Sequence, residues 1–186
     1  MDLIFRDGRT TESFSSAPVT DDDVAAIYDL VKWGPTGANM QPLRILMIRS
    51  EAARQRLLPL MFKMNREKVA AAPMTAVLSA DTFFHERAAF AMESERAHFA
   101  ADPLLRESAA VNNALIQAGY FILGVRAIGL AAGPMGGFFK DRVNQELFPD
   151  GRERAVLMVN IGWPDPSAQP LPRLPRLEFD EVVRII

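Results

Sequence analysis

The sequence predicts one domain of the α+β or α/β class, with helices covering a central sheet. Helical and strand patterns alternate along the chain, and the longest helical pattern is followed by a further strand. The candidate strand at residues 74–80 is apolar without alternation, which is typical of a strand buried on both faces. The 186 residues, 49% hydrophobic and 24% charged, are enough for one domain, or one with a small subdomain, that buries a sizeable core.

The first half of the chain supplies two helical patterns and two strands. Thr20 or Asp21 can cap the first helix, because three consecutive aspartates begin there and suit the positive end of the helix dipole. Gly34 and Pro35 end this pattern. The elements that follow are a strand at residues 43–48, a helical pattern at 51–61, a short basic and polar segment at 63–68 and the strand at 74–80.

The middle of the chain is predicted to hold an exposed segment and then a core helix. Residues 84–106 are charged and Ala-rich, which is typical of a solvated helix or of a helical lid. Residues 108–128 form the longest apolar helical pattern, but Asn112, Asn113 and Gln117 interrupt it too often for a membrane span. We therefore expect it to be a central core helix.

The last third of the chain combines a turn, a helix, a strand and a tail. Residues 131–137 are mostly Gly and Ala and are interpreted as the turn that leaves the core helix. Residues 139–147 predict a short helix, and residues 155–161 predict the third strand. The Pro-rich residues 164–175 are expected to cross the surface before an apolar terminus at residues 179–186.

Composition argues against several classes of function. The net charge of -2 and the pI near 5.7 provide no broad attraction for nucleic acid. The chain has no cysteine, which excludes disulfides and thiolate sites, and with only His85 and His98 a multi-histidine metal centre is not expected. Residues 1–14 do not fit a signal peptide, and no stretch reaches the roughly 18 uninterrupted apolar residues of a membrane span. We therefore expect a cytoplasmic protein with neither a nucleic-acid nor a membrane partner.

Motifs of hydrolases, nucleotide sites and zinc proteases are missing, since GxSxG, GxxxxGK[ST], GxGxxG and HExxH are all absent. Polar, Gly-containing stretches instead lie at element boundaries, and together they offer what an anionic, planar, amide-rich cofactor needs. Arg9 with Thr10 and Thr11 can hold a phosphate through charge-assisted hydrogen bonds, and Arg173 or Arg176 can add a second cation. Taken alone, each arginine also fits an ordinary solvated surface residue.

Two further pairs have chemistry suited to such a cofactor. Asn65 and Lys68 are spaced i, i+3, so one helical turn presents an amide and a cation to the same ligand edge. Gly136 and Gly137, within GPMGGF, let backbone N–H groups approach a ligand because no Cβ intervenes. The alternatives are a surface contact for the first pair and a tight turn for the second.

In their order and spacing these stretches resemble the FMN-dependent nitroreductase family over nearly the whole chain. The resemblance is carried by Arg9-Thr10-Thr11, by residues 35–42 (PTGANMQP), by Asn65 with Lys68, by residues 134–138 (PMGGF) and by the PRLPRL tail. The details KWGPTGAN, NREKVAAAPMTAV, GLAAGPMGGF, NIGWPDP and RLPRLEFDEV are most similar to the malonic semialdehyde reductase subgroup.

The resemblance implies an α+β three-layer sandwich, with a central mixed sheet flanked by helices, in a domain-entwined homodimer that has two FMN sites at its interface. The implied contacts are Arg9, Thr10, Thr11 and Arg173 or Arg176 with the FMN phosphate, Asn65 and Lys68 with the pyrimidine edge, Gly136 N–H with flavin N5 and Gly137 beside it, and Thr36, Gly37 and Asn39 from the partner subunit. NADH or NADPH would reduce FMN, and a small-molecule acceptor, malonic semialdehyde, would then take the hydride. No side chain is assigned as a catalytic acid, and no metal is expected.

Two departures from the family pattern bear on these roles. Gly136 stands where relatives often have Ser or Glu, so only a backbone role carries over. Asn112 and Asn113 stand where the subgroup is expected to have an Arg-Asn pair, which puts a substrate carboxylate contact in doubt. Its alternatives are Arg87, Arg96 and Arg106. A nitroaromatic or quinone reductase, a flavin-binding dimer without efficient turnover and a general phosphate-binding module therefore stay open.

Overall fold

A four-stranded sheet lies at the centre of the structure, a computed structural model that describes residues 2–87, 89–169 and 172–186. The strands are β1 (Leu43–Ile48), β2 (Met74–Asp81), β3 (Ala131–Met135) and β4 (Glu153–Gly162), in the order β1-β2-β4-β3. Every neighbouring pair of these strands is antiparallel, which corrects the expected mixed sheet. Strands β1 and β4 run in the same direction, but β2 lies between them, so no two described neighbours are parallel.

Helices surround this sheet. The described α-helices are α1 (Asp21–Val31), α2 (Glu51–Leu57), α3 (Lys63–Ala71), α4 (Arg96–Ala101), α5 (Pro103–Ala127), α6 (Lys140–Leu147) and α7 (Phe179–Val182). Short 3₁₀ turns lie at Gly37–Asn39, Leu58–Leu60, Phe84–Glu86 and Glu93–Glu95. The predicted basic segment at residues 63–68 is therefore the start of α3.

Two apolar cores lie on opposite faces of the sheet. On β2, Ala76 and Leu78 belong to the core formed with α1 and α5, whereas Val77 between them belongs to the core formed with α2, α3 and α6. Successive side chains of a strand point to opposite faces, so this alternation means that helices cover both sides. All eight residues of β2 are buried, as its uninterrupted apolar pattern predicted. The chain is thus an α+β sandwich of three layers.

The first helix begins where the sequence predicted. The Thr20 hydroxyl accepts a hydrogen bond from Asp23 N at 3.1 Å, and the Asp23 carboxylate accepts one from Thr20 N at 2.8 Å. This reciprocal capping satisfies two N–H groups that would otherwise lack partners. Ile27 is buried against α5, and the helix ends at Val31, shortly before Gly34.

Residues 84–106 differ from the expected exposed helix or lid. Instead of one helix, the described part holds two 3₁₀ turns and the short α4, and Ala88 lies outside the described residues. Phe84, Phe90 and Phe99 are buried with edge-to-face ring contacts at 5.1 to 5.8 Å between centroids. These three rings anchor the segment to the core because each hides its apolar surface against the other two.

Helix α5 begins five residues earlier than the pattern at residues 108–128 suggested. Asp102 caps it, accepting hydrogen bonds from the N–H groups of Leu104 and Leu105 at 3.1 and 3.0 Å, and Pro103 occupies the first turn. Its length and composition would suffice to cross a membrane. Phe121 and Val125, however, are buried in the first core, so α5 is a core helix as predicted.

Strand β3 was missed, because residues 131–137 were interpreted as a turn. Its Ala, Gly and Pro residues have weak strand propensity, so sequence pattern does not reveal it. The strand lies at the edge of the sheet, next to β4 only, where Pro134 is tolerated since its missing N–H breaks no ladder on the outer side. The described tail from residue 164 is mostly exposed, as expected, and Pro170 and Leu171 lie outside the described residues.

Candidate functional site

The N-terminal segment runs along the outer edge of β3. Thr11 N donates a hydrogen bond to Ala132 O at 3.1 Å, which satisfies one carbonyl that the edge strand leaves unpaired. A Cβ at Gly133 would lie 2.5 Å from Thr11 O, so only glycine permits this close approach. The packing fixes Thr11, and with it the neighbouring Arg9 and Thr10, beside the sheet.

Two guanidinium groups gather at the backbone of the same segment. Arg173 donates hydrogen bonds to Arg6 O and, at 3.5 Å, to Gly8 O. Arg126, at the end of α5, donates to Arg9 O at 3.2 Å and to Ile4 O at 3.4 Å. Burial lowers the pKa of Arg126, and the nearby Arg173 charge lowers it further. Positive charge is therefore concentrated at the predicted phosphate segment.

Arg126 is a residue that sequence analysis missed. The available signal was a cation in the last turn of an otherwise apolar core helix, which also fits a favourable dipole interaction. A Cβ at Gly8 would lie 2.7 Å from the Arg126 Nη1 atom, so the glycine makes room for this guanidinium. Arg176, by contrast, donates to the carbonyls of Leu174 and Pro175 in its own segment.

Lys68 ties helix α3 to the N-terminal segment. Its ammonium forms an ion pair with Glu12, the residue after Thr11. Asn160 on β4 donates a hydrogen bond to Lys68 O at 2.9 Å, and the Asn160 side-chain oxygen accepts one from Thr75 at 2.7 Å. This buried amide fixes the end of α3 against the sheet, so Lys68 is held close to the predicted phosphate residues.

Asn65 and Gly137 also meet, although they are far apart in the chain. Asn65 is only 7% exposed, and its Nδ2 donates to Gly137 O at 3.0 Å, an oxygen that also accepts from Phe62 N at 3.0 Å. A Cβ at Gly137 would lie 2.4 Å from Asn65 Nδ2, so the contact requires glycine. Gly136 is different, because nothing lies within 4 Å of the position of its Cβ. Open space therefore adjoins the Gly136 backbone.

The structure thus brings three of the predicted groups to one edge of the sheet. Arg9 to Thr11 lie along β3, Lys68 reaches the adjacent Glu12, and the glycines follow the end of β3 against Asn65. This edge offers cations at one end, an amide and an ammonium in the middle, and an accessible backbone at the other end. Within the described part of the chain, no group of three acidic or histidine side chains could hold a metal ion.

The fourth group, Thr36 to Asn39, packs elsewhere in its own chain. Gly37 N donates to the Asn113 side chain at 2.7 Å, and Asn39 Nδ2 donates to Ala89 O at 2.8 Å. Thr36 accepts a hydrogen bond from Gln41 N at 3.2 Å. The loop is therefore attached to α5 and to residue 89, on the side of the sheet that carries α1 and α5.

The candidate carboxylate contacts are already engaged. Asn113 uses its amide nitrogen on Ala109 O at 2.9 Å as well as its oxygen on Gly37. Arg87 pairs with the buried Asp81 at 2.9 Å, and Arg96 pairs with Glu93. The Arg106 guanidinium lies 4.3 Å from the Phe83 ring centroid. These residues build the 84–106 segment, and none is presented to the β3 edge by the contacts that hold it.

The chain is similar to known proteins over nearly its whole length. A model of the nitroreductase family matches residues 6–163. A Streptomyces coelicolor protein, provisionally named an NADH dehydrogenase/NAD(P)H nitroreductase, is 50% identical over 189 residues, covering 100% of this chain and 95% of that protein. A Bacillus subtilis crystal structure, provisionally assigned as a nitroreductase, superposes with a TM-score of 0.84 at 22% identity and covers 98% of this chain and 97% of its own. An Exiguobacterium sibiricum structure, provisionally a nitroreductase in complex with FMN, has a TM-score of 0.77 at 20% identity over 97% and 94% of the two chains.

Proposed function

The chain belongs to the nitroreductase family, and from that premise we propose that it is an FMN-dependent oxidoreductase that takes hydride from NADH or NADPH. The observation that carries the proposal is the convergence of Arg9 to Thr11, Asn65 with Lys68, and Gly136 with Gly137 on the β3 edge. The relative named an NAD(P)H nitroreductase and the neighbour that binds FMN support both redox partners.

The residues at this edge fit FMN. Its phosphate is a dianion, and Arg126 and Arg173 gather positive charge at the segment assigned to it. The isoalloxazine is planar, and the open space beside Gly136 admits a flat group against the backbone. We assign Arg173 rather than Arg176 to the phosphate, because Arg176 donates to carbonyls of its own segment.

FMN, when bound, accepts a hydride from a nicotinamide and delivers one to the second substrate. The chain would serve this exchange by position and charge. Lys68 has further N–H donors besides the one directed at Glu12, so its ammonium can stabilise negative charge at the pyrimidine edge. Asn65 holds Gly137 O, which fixes the backbone that presents Gly136 N–H to the reacting nitrogen.

A homodimer would complete the site. Thr36, Gly37 and Asn39 are attached to α5 of their own chain, and we propose that they contact FMN bound to the partner subunit. Apolar side chains exposed on α5 and at the C-terminus support such an interface, and they include Leu104, Leu115, Ile116, Val182, Ile185 and Ile186. Water contact with so many large apolar groups is unfavourable, and a second copy would remove it.

For the second substrate we propose malonic semialdehyde, reduced to 3-hydroxypropanoate. The resemblance of residues 129–138 and 172–182 to that subgroup supports this choice. The engagement of Asn113 with Gly37 instead favours a nitroaromatic or quinone, which needs no carboxylate contact. The proposed place of the reaction is the cytoplasm, where NADH and NADPH are supplied.

Anaerobic reduction tests the proposal. Purified protein should be yellow and should bleach when NADH or NADPH is added without oxygen. Colourless protein that cannot be loaded with FMN would overturn the assignment, and yellow protein that neither donor bleaches would indicate a binding protein without turnover. Stopped-flow reoxidation with malonic semialdehyde, a nitroaromatic and a quinone then ranks the acceptors. If the semialdehyde is the slowest of the three, the subgroup assignment fails.

A further inference from the structure

Two phenylalanine rings are half-exposed next to the candidate site. Phe62 precedes α3 and Phe139 precedes α6, and their centroids lie 4.9 Å apart with an interplanar angle of 65°. Each is 41% exposed, and the neighbouring Met64 is 74% exposed. Apolar rings grouped on a surface mark a place where something binds more often than scattered ones do. We call Phe62, Lys63, Met64, Phe139, Lys140 and Arg142 the Phe62–Phe139 surface.

This surface begins directly behind the two glycines. Phe62 N donates to Gly137 O at 3.0 Å, and Phe139 N donates to Leu60 O at 2.9 Å. The Phe62 ring carbon Cδ2 lies 3.3 Å from the position that a Cβ of Gly137 would take. A ligand with one end at Gly136 could therefore extend from it onto both rings.

The same surface carries uncompensated positive charge. The Arg142 guanidinium lies 5.4 Å from the Phe139 ring centroid, an arrangement in which cation and ring attract. Lys63 and Lys140 follow the two phenylalanines and are exposed. Among the described residues, the ion pairs of α3 and α6 use Lys68 with Glu12 and Glu146 with Arg56, and leave these three cations out. Only Asp141 opposes them within the two segments.

We propose that the Phe62–Phe139 surface binds the adenosine diphosphate part of NADH or NADPH. The rings offer a face for the adenine, since bases stack on aromatic side chains whatever their hydrogen-bonding pattern. Arg142 and Lys140 offer charge-assisted hydrogen bonds to the pyrophosphate. A semialdehyde has no ring to stack and only one negative charge, so it matches this surface less well. The inference rests on the proposed function in one respect, that the nicotinamide end lies at Gly136.

Equilibrium binding of ADP-ribose, which lacks the nicotinamide, tests the surface without turnover. We expect the double variant Arg142→Gln/Lys140→Gln to bind ADP-ribose at least about tenfold more weakly than the native FMN-loaded protein in isothermal titration calorimetry. Both side chains are exposed, so the fold should persist. Arg56→Gln is the matched control, because Arg56 pairs with Glu146 of α6 at 2.8 Å but is not part of the surface.

Reduction by two donors gives an independent readout. The double variant should be reduced more slowly by subsaturating NADH or NADPH, whereas 1-benzyl-1,4-dihydronicotinamide, which lacks adenosine diphosphate, should reduce it at the native rate. Unchanged ADP-ribose affinity would overturn the proposal, and so would equal slowing with both donors. If only the acceptor half-reaction weakens, the surface binds the acceptor and the proposal is wrong. Failure of the oxidoreductase assignment is distinguishable, since native protein would then be reduced by neither donor.

Discussion

Buried His85 lacks a hydrogen-bond partner at one ring nitrogen. It is 5% exposed, and its Nδ1 is buried without a partner among the described residues. Burial lowers the pKa of His85, and the Arg106 guanidinium lowers it further, with Arg96 and Arg152 adding to the effect and Glu86 opposing it. The imidazole is therefore neutral in the folded protein under conditions where an exposed histidine begins to protonate.

This lowered pKa predicts a stability that falls in mild acid. Between the ordinary value of 6.5 and the lower folded pKa, the unfolded chain binds a proton that the folded chain does not, so acidification favours unfolding. Urea unfolding at pH 7 and pH 5 should show this loss in the native protein and much less of it in His85→Phe. The matched control is the exposed His98: if His98→Gln abolishes the pH dependence instead, the assignment to His85 is wrong.

Arg126 predicts a phosphate-specific effect on cofactor affinity. It holds the Arg9 backbone and adds positive charge where the FMN phosphate is proposed to bind. Arg126→Gln should therefore raise the Kd for FMN about tenfold, the cost of one charge-assisted contact, and leave the Kd for riboflavin nearly unchanged. Fluorescence titration of both flavins measures this, with Arg49→Gln as a control far from the segment. An equal loss for riboflavin would mean that Arg126 serves the fold alone.

At the scale of elements, the turn between β3 and α6 contains two glycines with different requirements. A Cβ at Gly137 would meet Asn65 at 2.4 Å, whereas a Cβ at Gly136 would meet nothing within 4 Å. We expect Gly137→Ala to lower the free energy of unfolding by about 1–3 kcal/mol, as overpacking does. Gly136→Ala should change it by less than about 0.5 kcal/mol and keep FMN, because alanine retains the backbone N–H. Urea unfolding compares the pair, and similar effects at both positions would contradict the described packing.

The loop at residues 36–41 is a strained element. Ala38, Asn39 and Gln41 have φ angles of 47°, 53° and 44°, which side chains other than glycine adopt at a cost. Asn39 compensates by donating to Ala89 O and by accepting from Gln41 Nε2 at 2.7 Å. Residues of this kind persist where the surrounding structure holds them, and they often lie at binding sites.

Asn39→Gly tests whether this loop serves the cofactor of the neighbouring subunit. Glycine keeps the positive φ without strain, so stability should fall by only about 1 kcal/mol, the value of the exposed hydrogen bonds lost. Asn39→Ala would add backbone strain and confuse the two effects. The Kd for FMN should rise several-fold in Asn39→Gly, as fluorescence titration would report. Unchanged affinity would count against the interface model.

At the scale of the whole molecule, the apolar C-terminus predicts a dimer on which FMN retention depends. Ile185 is 86% exposed, and Ile186 is fully exposed. Ile185→Ser/Ile186→Ser should shift sedimentation velocity towards monomer at low protein concentration and reduce bound FMN in parallel. Because association follows mass action, raising the protein concentration should restore both. Monomer that retains FMN fully would contradict a shared site.

Local pattern by itself determined the elements whose signals lie within a few residues. The cap at Thr20, the bounds of β1, the two-sided burial of β2 and the core position of α5 were all predicted, because capping, periodicity and hydrophobicity are properties of neighbouring residues. The motif order likewise pointed to the family that the comparisons show.

Only the tertiary structure decided the features that depend on residues far apart in the chain. Strand β3 exists because β4 and Thr11 pair with a segment of weak intrinsic propensity, and the antiparallel order follows from β2 lying between β1 and β4. The meeting of Asn65 with Gly137, the place of Arg173 at Gly8, and the presence of Arg126 beside it are likewise non-local. A sequence gives the chemistry of each group, but the distances between groups arise only when the sheet and its two helical layers pack.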